Sequence, residues 1–175
     1  MSEKWTSTSA PYVSPRAPGD TDAWTQEAGS RGSQHLMEVA TRKPPPEVAA
    51  ALGLPPDEQA VVRRRVMLVD DQPVELTDSY YPQRIALGTA LARPGKIRGG
   101  APTLLANLGH HTHRVIEDVE ARTATAEESE ALALADGAPV LTLLRVSLSH
   151  KNEPIEASLM VMKGPRRLRY EMEID

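Results

Sequence analysis

Apolar and polar residues alternate along most of this chain, and the alternation reads as strands rather than long helices. Gln59–Val69, with the run AVVRRRVMLV, reads as a strand, Asp70-Asp71-Gln72 as a turn, and Pro73–Tyr81 as the returning strand of a hairpin. The order recurs downstream, with a strand over Val140–Ser149, a turn at His150–Glu153 and a return over Ile155–Met162. Further strands are predicted over His35–Thr41 and His113–Arg122. Leu168, Tyr170, Met172 and Ile174 alternate with charged residues as a final strand with one buried face. Short helices fall between the strand pairs. Glu47–Leu52 lies between Pro46 and Gly53, Arg84–Leu91 follows Pro82, and Ala101–Leu108 is stopped by Gly109. Thr125–Leu132 opens with Thr125 and Glu128 at capping-box spacing.

Two stretches are copies of one another: EVAAALGLPPDEQAVVRRRVMLVDDQPVE from Glu47 and EESEALALADGAPVLTLLRVSLSHKNEPIE from Glu127. Leu52 falls on Leu132, Val61 on Leu141, Arg65 on Arg145 and Leu68 on Leu148. After one inserted residue, Pro73-Val74-Glu75 falls on Pro154-Ile155-Glu156. Two copies are too few for a solenoid and fit one domain made by pairing two helix–strand–turn–strand units. Hairpin partners are antiparallel, so the predicted fold class is α+β: an antiparallel sheet of about six strands, with short helices on one side. Residues 1–34 are rich in Ser, Thr, Pro and Gly and read as an irregular arm ahead of a domain over 35–175, with Trp5, Tyr12, Val13 and Trp24 as anchors.

Composition narrows the function. The core must be aliphatic, because only 3% of the 175 residues are aromatic and none is Phe. A net charge of −4 argues against nucleic-acid binding through overall charge. The absence of cysteine removes disulfides and thiolate metal sites. No apolar run approaches the ~20 residues of a membrane span, and no apolar stretch follows Met1-Ser2-Glu3-Lys4, so a cytoplasmic protein is expected. No metal or cofactor is expected either: His110-His111-x-His113 reads as a solvated turn, and Arg166-Arg167-x-Arg169 likewise.

The candidate site follows from the faces of the hairpins. Arg65 and Arg145 hold equivalent places, each with a Glu from the following strand. A pocket on the polar face anchored by Arg65, Thr77, Ser79 and Glu156 is one reading, since a guanidinium suits carboxylate or phosphate oxygens. Cross-strand Arg–Glu pairing on a solvated face is the other. Gly99-Gly100-Ala101 opens a helix whose N-terminus can hold an anion, or forms a plain loop.

The spaced series PPPEVAAALGL, VVRRRV, DDQPVELTDSYYP, GGAPTLLANLG and EDVEARTATAEESEALALADGAPVLTLLRVSLSHKNEPIEASLMVMKGPRRLRYEMEI resembles the UTRA domain, the effector-sensing part of HutC-subfamily GntR-type bacterial transcription regulators. The resemblance spans roughly residues 35–175. It implies the chorismate lyase-like fold with an internal duplication, a homodimer, a small-molecule effector and no membrane. It also implies contact with DNA only indirectly, through a partner, or through a winged helix-turn-helix ahead of the domain, which residues 1–34 do not supply. Family sites use an Arg-x-Arg pair, matched by Arg65 with Met67 in place of the second Arg. A family Glu corresponds to Thr77, and a family Ser at the helix start to Ala101, beside Gly100. The late Glu is kept as Glu156, and Met162 stands at an aromatic position. So many reduced anchors imply a guest less charged or more apolar than a phosphorylated sugar. A chorismate lyase-like enzyme and an interaction module with an empty pocket are the rival readings.

Overall fold

The computed structural model describes residues 5–17, 19–172 and 174. The chain begins with β1 (Trp5–Ser7), α1 (Ala10–Val13), α2 (Ala23–Ala28) and a 3-10 turn, and then enters β2 (Gly32–Arg42). The segment expected to be irregular therefore carries elements of its own. Asp22 starts α2 by accepting the Thr25 backbone N–H at 3.0 Å, and Trp24 is buried. The side chain of Trp5 lies outside the described residues. Gly32 is needed where the chain swings into β2, because a Cβ there would stand 2.3 Å from that of Ala28.

The first unit continues with α3 (Pro46–Ala51), β3 (Ala60–Val69) and β4 (Gln72–Pro82), then α4 (Gln83–Ala86) and α5 (Gly100–Asn107). The second unit is β5 (Arg114–Thr123), α6 (Ala126–Ala131), β6 (Pro139–Leu148) and β7 (Pro154–Lys163), and β8 (Arg166–Leu168) follows. The six long strands form one antiparallel sheet in the order β2-β3-β4-β7-β6-β5. The two β-α-β-β units thus meet edge to edge along β4 and β7. Their registers repeat: Arg65 pairs with Thr77 and Arg145 with Ser158. A bulge omits Val74 from the first hairpin ladder and Ile155 from the second. Asp78 pairs with Leu159, its own counterpart, which places a local two-fold axis between them.

Each repeat helix crosses to the other unit's strand. Val48 and Leu52 of the first unit pack on Val146 and Ala157, while Leu132 packs on Val161 and Leu76. Helices cover both sheet faces rather than one. On the opposite face, Ile85 of α4 and Leu105 of α5 pack over Val61, Tyr81 and Ile155.

Two further expectations change. The helix predicted over Arg84–Leu91 is cut to α4, because Gly88 takes a left-handed φ of 81° and Thr89 caps a separate 3-10 turn through Leu91 N–H. The predicted final strand ends at Leu168, and Tyr170, Met172 and Ile174 are exposed, while Glu173 lies outside the described residues. Past Pro165 the chain pairs with β1, in parallel, in place of an edge of the main sheet. Apolar alternation marks a face without naming its partner.

Candidate functional site

The face of the sheet away from α3 and α6 is polar at its middle. Register places Arg63, Arg65 and Met67 of β3, Glu75 and Thr77 of β4, Glu156, Ser158 and Met160 of β7 and Arg145 of β6 there. They floor a cavity of about 530 Å³. One wall is the 94–97 loop and the first turn of α5. The opposite wall is the N-terminal segment, through Pro11, Tyr12, Ser14, Arg16 and Asp22–Trp24.

Each floor cation has a different fate. Arg63 is buried and donates to the carbonyls of Ala90, Leu91, Arg93 and Gly95 at 3.2, 3.1, 2.8 and 2.7 Å. It thereby ties down the loop that leads to α5. Burial pulls its guanidinium below the usual arginine range. Arg145 forms an ion pair with Glu117 of β5 at 2.6 Å, donates to Ser9 Oγ at 2.9 Å and lies 5.5 Å beneath the Tyr12 ring. Burial works to raise the Glu117 carboxyl, and its bonds with Ser9 and Arg145 outweigh that and hold it below the ordinary range.

Among the described residues Arg65 has a single hydrogen-bond partner. Its Nη2 donates to Ser79 Oγ at 2.8 Å, and Nε is buried without an acceptor. Ser79 and Ser158 are 2.8 Å apart, and Ser158 donates to Glu156 Oε1 at 2.8 Å. Because the proton of Ser158 goes to Glu156, that of Ser79 must go to Ser158. The result is a directed chain Arg65→Ser79→Ser158→Glu156 across the junction of the two units.

The N-terminal wall is held by buried ions. Arg166 donates to Glu75 and sits 3.3 Å from Glu27, with Ser7 Oγ at 3.0 Å. Glu75 also accepts the Thr77 hydroxyl at 2.6 Å, and Glu27 accepts that of Tyr12 at 2.6 Å. Burial, aided by Glu27, pushes the Tyr12 phenol far above its ordinary value. Across the cavity mouth Lys96 pairs with Asp22 at 3.1 Å, and Arg16 N–H donates to Thr103 Oγ of α5 at 2.9 Å.

With this geometry in place, comparison with known proteins is informative. The sequence profile of the UTRA domain matches residues 27–167. An HTH-type transcriptional regulator of Streptomyces coelicolor is 31% identical over 139 residues, covering 78% of this chain. The chain belongs to the UTRA domain family. It spans about half the length of that relative, 52%. The effector domain of PhnF from Mycobacterium smegmatis superposes with a TM-score of 0.72 at 18% identity, over 92% of this chain and 99% of that one. The C-terminal domain of Yurk from Bacillus subtilis does so at 0.68 and 18%, over 79% and 94%. These two likenesses bear on the fold, the chorismate lyase-like antiparallel sheet expected from the sequence.

Of the residues singled out in this UTRA domain, Arg65, Met67, Thr77, Gly100, Ala101 and Glu156 line the cavity. Ser79 does not: it is fully buried beneath the floor, with its hydroxyl engaged by Arg65 and Ser158. Met162 does not line it either, because Leu143, Met160 and Leu168 cover it. The expected symmetry of Arg–Glu pairs from the following strand also fails. Glu117, on the preceding strand, serves Arg145, and Glu75 serves Arg166. Tyr12 and Trp24, expected only as anchors of the arm, line the cavity as well, while Arg16 and Asp22 escaped sequence reasoning because they lie in a segment that looks irregular. For Asp22 the signal was its place three residues before Thr25, an N-cap spacing. Among the described residues no group of three His, Asp or Glu could hold a metal, and His113 stacks on His150 at 3.9 Å.

Proposed function

We propose that this chain is the effector-sensing part of a HutC-type GntR transcription regulator, acting in the cytoplasm as a homodimer and binding a small molecule without transforming it. The observation that carries this reading is the cavity between the duplicated sheet and the N-terminal segment. One wall is a rigid sheet; the other is the stretch leading toward the winged helix-turn-helix that the family resemblance places ahead of the domain. A guest touching both walls binds one arrangement of that stretch better than another, and differential affinity of this kind is what couples a ligand to a distant DNA-binding part. A non-catalytic role is supported by the state of the ionised groups. Asp22, Glu75 and Glu117 each face a cation and hold the walls, and Glu156, which faces none among the described residues, accepts the Ser158 hydroxyl.

A metabolite panel screened by thermal shift tests the reading. A true effector at a hundredfold excess over its dissociation constant should raise the melting temperature by about 5 °C or more. The gain should vanish in Arg65→Ala. Release of an aromatic acid from chorismate would instead favour the enzyme that shares this fold. A protein that no compound stabilises, and that carries none through purification by mass spectrometry, would defeat the sensor reading.

A further inference from the structure

The two halves of the sheet are built alike, so a residue that differs between equivalent positions shows where the second use of a site departs from the first. Arg145 is neutralised by Glu117, its neighbour across β5 and β6. The neighbour of Arg65 across β2 and β3 is Leu36. The first copy of the guanidinium thus lacks the carboxylate that the second copy has. It makes no ion pair among the described residues, and its buried Nε has no acceptor. Both Arg65 and Leu36 line the cavity.

The charge around Arg65 can be followed residue by residue. Arg145 and Glu117 cancel, as do Lys96 and Asp22, and Glu75 of the floor shares the Arg166 guanidinium with Glu27. Arg16 lies at the rim, off the floor, and its bonds to Gln26 and the Pro11 carbonyl orient the guanidinium without neutralising it. On the floor remain the Arg63 and Arg65 guanidiniums and the Glu156 carboxylate, which together leave one net positive charge. A singly charged anion balances that floor, and a doubly charged one meets Glu156.

The α5 terminus points the same way. A phosphate cradle needs several free backbone N–H groups at a helix start. Here Gly100 N–H is spent on the Ile97 carbonyl at 3.0 Å, Pro102 has none, and the N-cap Gly99 has no hydroxyl. Much of the remaining wall, including Leu36, Met67, Ile97, Met160 and Trp24, is apolar. A cavity of about 530 Å³ suits a metabolite-sized guest.

We infer that the effector is a small monocarboxylate with a largely apolar body, its carboxylate taking beside Arg65 the place that Glu117 takes beside Arg145. The inference rests on the sensor reading and specifies its ligand. The test uses octanoate and naphthylacetate, their primary amides and octyl phosphate, measured by calorimetry. At least one carboxylate should bind, and its amide roughly 10- to 100-fold more weakly, the difference a charge-assisted hydrogen bond makes. Leu36→Glu supplies an internal carboxylate, recreating the Arg145–Glu117 pair, and should weaken carboxylate binding by a similar factor. Leu36→Gln, of the same size without the charge, should weaken it far less, which separates charge from packing and from misfolding. Tighter binding of octyl phosphate than of octanoate, or equal binding of acid and amide, overturns the inference and leaves the sensor reading standing. Failure of all five probes also overturns it, and only failure of the wider metabolite panel removes the sensor with it.

Discussion

Arg63 and Arg65 stand two residues apart on one face of one strand, yet one is a fastener and the other lines the cavity with a single hydrogen-bond partner among the described residues. The difference lies in what the fold brings to each. Arg63 meets the ends of a 3-10 turn, where carbonyls lack partners within the turn and the local dipole favours a cation. Removing that guanidinium leaves several carbonyls without donors. Arg63→Met should therefore destabilise the domain by about 2–4 kcal/mol. Arg63→Lys should recover only part, because an ammonium cannot span four carbonyls as the planar fork does. Urea denaturation of the two variants checks this, and equal stability of Arg63→Met and the native protein would contradict it. Nothing in VVRRRV distinguishes the two arginines, since their partners come from residues 79 and 90–95. The sequence singled out Arg65 through the duplication and through the family's Arg-x-Arg pair, not through its local surroundings.

At the scale of elements, the legible parts were those specified by local chemistry. Both hairpins, α3, α5 and α6 lie close to their expected places, because turn residues, caps and alternation act over a few neighbours. The N-terminal helices were missed because they are short and are stabilised by contacts with distant residues such as Arg145, Thr103 and Arg166. The α6 cap was legible in full: Thr125 Oγ accepts Glu128 N–H, and Glu128 returns to Thr125 N–H while clasping Arg122 at 2.7 Å. The Arg122 bond chiefly, with the cap, holds the Glu128 carboxyl below its ordinary value of 4.5. A carboxyl depressed in the folded state adds stability above its ordinary value and loses it as pH falls through the depressed one. Glu128→Gln should thus cost about 1 kcal/mol at pH 7, a modest figure because the pair is partly solvated. The cost should shrink steadily below about pH 4.5. Thermal melts across that range measure it, and a cost independent of pH would contradict the assignment.

The whole molecule closes at its two ends. The sequence revealed the duplicated sheet, since each copy carries its own pattern, but not the closure. That depends on Arg166, in a cluster that reads as a solvated turn, reaching residues far away in the chain. Its side chain is only 7% exposed and stands between Glu75 of the cavity floor and Glu27 of α2, with the Trp24 ring 5.6 Å away. The same Glu27 receives Ser7 and Tyr12, so one guanidinium joins β1, α1, α2 and the sheet. Buried ions joined in this way add little over an apolar core, but removing one member strands the others. Arg166→Leu should leave the buried Glu75 without its cation and take one cation from Glu27, destabilising the domain by about 3–5 kcal/mol. The N-terminal segment should then lift from the cavity, and limited proteolysis should cut within residues 8–22 well before the sheet is attacked. Adding Glu75→Gln to Arg166→Leu removes one stranded charge and should restore part of the stability. It should leave the segment labile, because Glu27 still lacks the Arg166 guanidinium. An Arg166→Leu protein whose N-terminal segment resists protease as the native one does would show that Ser9, Arg16 and Asp22 hold the wall unaided.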